Sequence, residues 1–94
     1  MNYIQKIKNE LEKELHLEET PFEDLLGMYA LLVLTVGTNC TNENIHDAWS
    51  VWQDTLSPTH PSLIPYKKLR KKVQNLDTPY CLAVRKVAFL KKYE

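Results

Sequence analysis

The sequence predicts an all-α fold: a compact domain of four main helices, an ordered proline-rich loop and one short extra helical turn. Three observations carry this expectation. Apolar residues recur at spacings of three and four in separate stretches, helix-starting residues precede those stretches, and no strand-like alternation or internal repeat competes with them. The 94 residues, with 44% hydrophobic, 26% charged and two glycines, suit a single domain over residues 1–94. A chain of this size buries about 60–70% of its unfolded surface, which allows one core.

Ile4, Ile7, Leu11 and Leu15, separated by polar residues, predict a first amphipathic helix. Thr20-Pro21 followed by Glu23 and Asp24 reads as an N-cap, a first-turn proline and first-turn acids, so a second helix is expected from Pro21 to about Val36 with Gly37 as its stop. The apolar run Leu25–Val36 is twelve residues long, short of the ~20 that a membrane span needs. It is expected to be a buried core helix, with Gly27 permitting close approach of a neighbour. Thr41-Asn-Glu-Asn opens a third helix that ends near Asp54 and places Ile45, Ala48, Trp49 and Trp52 on one face, with His46, Asp47, Ser50 and Gln53 toward other directions. Pro58, Pro61 and Pro65 make residues 56–65 a loop, because each removes an N–H donor and biases its predecessor away from helix. A helical turn over Tyr66–Val73 follows, carrying Leu69, Val73 and Leu76 on one side. Asp77-Thr78-Pro79 caps a last helix through about Lys92, with Tyr80, Ala83, Val84, Val87 and Leu90 as its inner stripe.

Cys40 and Cys81 are the only cysteines and read as small buried hydrophobes. Cys40, His46, His60 and Cys81 are separated by 5, 13 and 20 residues, which matches no zinc module, and no metal or cofactor is expected. The N-terminal stretch interleaves charge with apolar residues and offers no export signal, which predicts a cytoplasmic protein without membrane contact. Net charge is zero but unevenly spread. Residues 1–54 hold three lysines against ten acids, and residues 55–94 hold nine basic residues against two acids. Either the halves meet within or between subunits, so that a homo-oligomer is one option, or each half faces a partner.

The segments TNENIHDAW (41–49), HPSLIPYKKL (60–69) and Gln74-Asn-Leu-Asp77 with the Ala83-Val-Arg-Lys-Val helix resemble the ryanodine-receptor (RyR) type repeat domain, over about residues 41–90. They are similar in particular to small stand-alone bacterial and phage proteins of that kind. Gln53-Asp-Thr-Leu-Ser57 stands where the receptor repeats carry a Gly-Trp-x-Tyr-Gly element, so the contacts of that element do not transfer. The resemblance implies an interaction or ligand-sensing module without catalysis and, by analogy, handling of nucleotide-derived signals in phage–host conflict.

Two readings accompany each candidate residue. His46 borders the buried face of the third helix, where a satisfied core histidine competes with a ligand-binding one. His60, held extended by Pro61, either bonds a backbone group or holds a ligand. Tyr66 either anchors the loop on Trp49 or Trp52 or stacks at a pocket edge. Asp77 reads as a helix cap. The run Lys67, Lys68, Arg70, Lys71 and Lys72 is either a solvated face or an anion site, which Arg85 and the helix starts at Thr41 and Thr78 would assist. Trp52 and Tyr66 could stack a base. No nucleophile–base pair has a recognisable context. These residues together point to a non-enzymatic protein that captures an anionic nucleotide-like small molecule at His46, Trp49, Trp52, His60, Tyr66, Lys67, Lys68, Arg70 and Arg85. The alternatives are an adaptor for a protein partner and a nucleic-acid accessory protein; zero net charge disfavours duplex nucleic acid.

Overall fold

Asn2 starts the first helix. Its side chain accepts from the Gln5 N–H at 2.9 Å, and α1 runs Tyr3–Leu15 to a left-handed cap at His16. The structure, a computed structural model, describes residues 1–17 and 22–94. Helix α2 spans Glu23–Thr35; the expected cap at Thr20 and start at Pro21 lie outside the described residues. Helix α3 spans Asn42–Leu56, one turn α4 spans Lys71–Gln74, and α5 spans Thr78–Leu90. Four main helices and no strand are present among the described residues. None of these helices is long and apolar enough to cross a membrane.

Each start and stop has a local cause. Thr41 caps α3 through a reciprocal box: its hydroxyl accepts from the Asn44 N–H, and the Asn44 side chain accepts from the Thr41 N–H at 2.9 Å. Gly37 adopts φ 58°, the left-handed conformation that stops α2 as expected. Gly27 has another role than expected. A Cβ there would meet only the Lys8 side chain, at 3.7 Å, which is ordinary contact, so no helix packs too closely for alanine.

The core joins α1, α2, α3 and α5. Ile7 and Leu11 of α1, Ile45 of α3 and Val84 of α5 are fully enclosed, with Leu26, Tyr29, Ala30 and Val33 of α2 between them. Two expectations are corrected. Helix α2 is not buried all round, since Leu31 is 52% and Leu34 42% exposed, because its neighbours cover only one side. The inner stripe of α5 is Cys81, Ala83, Val84, Val87 and Ala88, whereas Leu90 faces outward and Tyr80 lies partly exposed beside Tyr29. Cys40 and Cys81 are buried as expected; the Cys81 thiol donates to the Cys40 carbonyl at 3.2 Å. Burial, then the neighbouring Cys81, pushes the Cys40 thiol up, which keeps it protonated and unreactive.

The basic run does not form one helical turn. Residues 66–68 make a 3₁₀ turn, Leu69 and Arg70 are extended, and α4 begins at Lys71. Gln74 braces the break: its side-chain amide donates to both the Tyr66 and Leu69 carbonyls, at 3.0 and 3.2 Å. A further 3₁₀ turn, residues 75–77, then leads into α5, as another over residues 37–39 follows α2.

Candidate functional site

Helix α3 carries His46, Trp49, Trp52, Gln53 and Leu56 at spacings that put them on one face, while Ile45 and Ala48 enter the core. That face forms one wall of a cleft of roughly 670 Å³, a size ordinary for small-molecule sites. Phe22, Leu25 and Tyr29 of the α2 end, His60 and Ser62 of the loop, and Val73, Leu76, Asp77 and Tyr80 close it.

The rings in and around the cleft brace one another. His46 stacks on Trp49 with centroids 5.7 Å apart, and His60 meets Trp49 edge-on at 5.1 Å. Phe22 meets Trp52 edge-on at 5.3 Å, and Tyr29 leans on Tyr80 at 5.5 Å. Such pairs hold ring orientation as well as area. Tyr66 packs on His46, at 6.1 Å, instead of on a tryptophan as expected, because the loop bends back along α3 at His46.

Hydrogen bonds fix the two imidazoles. His46 is buried, 3% exposed, and its Nε2 lies 2.7 Å from the Ile64 carbonyl. A carbonyl accepts only, so His46 Nε2 carries the hydrogen and pins the proline loop to α3. Ser50 Oγ lies 3.3 Å from the same Nε2, which has no lone pair left to take a proton from that hydroxyl. In His60 the roles reverse: Nδ1 accepts from the Ser62 N–H at 3.0 Å, so a neutral ring has its hydrogen on Nε2. Both histidines are satisfied on one nitrogen and line the cleft.

Asp77 was missed as a cleft residue by the sequence, which reads it as a cap. It occupies the N-cap position of α5, but with helical φ −82° and ψ −14° its side chain makes no capping bond; capping needs the extended conformation that turns the carboxylate back on the helix. The carboxylate belongs to the cleft instead. Burial pushes its pKa above the ordinary 3.8, and the His46 charge works against that rise. The Tyr29 phenol is raised as well, first by burial, then by Tyr80 and Asp77, so these polar groups share one environment. Tyr29 and Tyr80 could not be assigned to a site from sequence, where they read as part of hydrophobic stripes.

Of the residues singled out in the sequence, His46, Trp49, Trp52 and His60 come together in the cleft, and Tyr66 abuts it through His46. Lys67, Lys68 and Arg70 are exposed, line no part of the cleft and make no ion pair among the described residues. Arg85 is elsewhere: its Nε donates to the Thr38 carbonyl at 2.9 Å, tying the 37–39 turn to α5. The two helix starts do lie side by side, joined by Asn42 Nδ2 donating to Thr78 Oγ1 at 2.9 Å. The acidic and basic halves meet at Lys86–Glu14, 3.2 Å. No cluster of three or more potential metal ligands occurs among the described residues.

Among the described residues the cleft therefore combines ring faces, two oriented imidazoles and one carboxylate, with no lysine or arginine in its lining. Such a set can stack a planar group and hydrogen-bond its edge. Neither the curated proteins nor the solved structures contain a match to the chain. A family model described as a domain of unknown function (DUF7701) matches residues 2–89, which include every helix start and the whole cleft. The chain belongs to the DUF7701 family.

Proposed function

We propose that the domain is a non-enzymatic binding module that holds the base of a nucleotide-derived small molecule in the aromatic cleft. The observation that carries this reading is the ring set itself: His46, Trp49, His60 and Tyr80 line one concavity beside the Asp77 carboxylate. Base–aromatic stacking contributes about 1–3 kcal/mol per base. The basic run offers a place for phosphates. It is bracketed by Tyr66, whose ring touches His46, and by Val73 in the cleft wall, so a base in the cleft can direct its anionic tail toward Lys67, Lys68 and Arg70.

Ser50 and His46 do not form a nucleophile–base pair. The histidine nitrogen facing the hydroxyl is already a donor to Ile64, and a nucleophile needs a base there. The resemblance of residues 41–90 to RyR-type repeats, read from the sequence alone, implies the same ligand-sensing role, with sequestration of a signal as its outcome in a stand-alone chain.

A thermal-shift screen of the chain against mononucleotides, cyclic di- and trinucleotides, and ADP-ribose and its cyclic forms tests the reading. A ligand at 100 times its dissociation constant stabilises the fold by about 2.7 kcal/mol, which for a domain of this size is a rise of roughly ten degrees or more. A selective rise that Trp49→Ala removes is the expected result. A flat screen would sink the reading and favour the adaptor alternative, for which the exposed Leu82 and Phe89 of α5, at 58% and 75% exposure, are the supporting feature.

A further inference from the structure

We infer that Asp77 reads the edge of the bound base, so that the cleft selects a guanine-type ring, whose neighbouring N1–H and 2-amino groups donate together to one carboxylate. This rests on the base-binding reading above and goes beyond it by naming the base.

Among the described residues the lining supplies one carboxylate, Asp77, and no described residue donates a hydrogen bond to it. An ionised carboxylate only accepts. Among the four ordinary bases, guanine alone presents two adjacent donors on its pairing edge. Adenine and cytosine set a ring-nitrogen acceptor beside their amino group, and uracil sets carbonyls on both sides of its N–H. Each of those would oppose a lone pair of Asp77 to one of its own. Guanine also needs a donor for its 6-oxo group. His60 Nε2–H is available, since Nδ1 is occupied by Ser62, and the Tyr29 phenol lies in the field of Asp77. Burial that disfavours the bare carboxylate gives the donor pair a further reason to bind, because it replaces the water Asp77 has lost.

The test uses the intrinsic fluorescence of Trp49 and Trp52 in the full chain, titrated with guanosine, inosine, adenosine and xanthosine. Guanosine is expected to bind tightest. Inosine, which lacks only the 2-amino group, should bind roughly tenfold more weakly, and adenosine roughly ten- to hundredfold more weakly. In Asp77→Asn, the amide offers one donor and one acceptor, so the preference should pass to xanthosine, whose N1–H and 2-oxo groups match it. Equal binding of guanosine and adenosine, or an unchanged preference in Asp77→Asn, would overturn the assignment of Asp77 while leaving the cleft as a base site. Failure of all four nucleosides to bind would overturn both. Circular dichroism checks that the variant folds; if it does not, the guanosine–inosine ratio in the unmodified chain decides alone.

Discussion

The cleft and the basic run adjoin each other along the chain, yet they are built in opposite ways. In the cleft, His46 is 3% exposed, bonded to Ile64 and stacked on Trp49, and His60 is tied to Ser62. In the run, Lys67, Lys68 and Arg70 are exposed and without ion pairs among the described residues, and only the backbone beneath them is held, by Gln74. Preorganised groups lose little freedom when a ligand arrives, whereas long exposed side chains must be ordered at that moment. Selectivity should therefore come from the cleft, and a general attraction for anions from the run.

The largest effect should come from cutting the cleft's scaffold. His46→Leu leaves the Ile64 carbonyl without its donor and is expected to cost about 2–3 kcal/mol, read as a lower urea midpoint. An unchanged midpoint would mean that the loop does not depend on this bond. Trp49→Ala should weaken binding of a base by about 2 kcal/mol, roughly thirtyfold, through lost stacking, and calorimetry measures it directly.

Asp77 gives the next contrast. Its carboxyl pKa is raised on folding, so the folded state holds the proton more tightly, and Asp77 disfavours folding once pH passes above the ordinary value of 3.8. Asp77→Asn should thus raise the melting temperature at neutral pH, with the gain disappearing as pH falls below that value. A gain that persists in acid would place its origin outside this ionisation. The smallest effect belongs to the run. Replacing Lys67, Lys68 and Arg70 together by Gln should change stability by no more than about 0.5 kcal/mol and flatten the salt dependence of nucleotide binding, while nucleoside binding stays as it was.

Much of this contrast was legible in the sequence. Helical periodicity and the Thr41 signal placed α3, but grouped Trp49 and Trp52 with the core residues Ile45 and Ala48 and not with His46 and Gln53, whose cleft face they share. His60 lies in the non-helical segment between α3 and the 66–68 turn. What periodicity could not show was which half of an apolar helix its neighbours leave uncovered, so Leu31, Leu34 and Leu90 were expected inside. It also could not show the fate of Asp77, which depends on one backbone conformation at the start of α5. Arg85 was grouped with the other cations by charge alone, though its partner Thr38 is 47 residues away in sequence.

The most direct measurement is a ¹H–¹⁵N spectrum of the chain titrated with a guanine nucleotide. A ligand held in the cleft shifts the indole N–H signals of Trp49 and Trp52 and the amides of His60, Ser62 and Asp77, and these shifts survive added salt. Shifts restricted to residues 67–72 that vanish with salt would contradict the central claim and return the site to the basic surface.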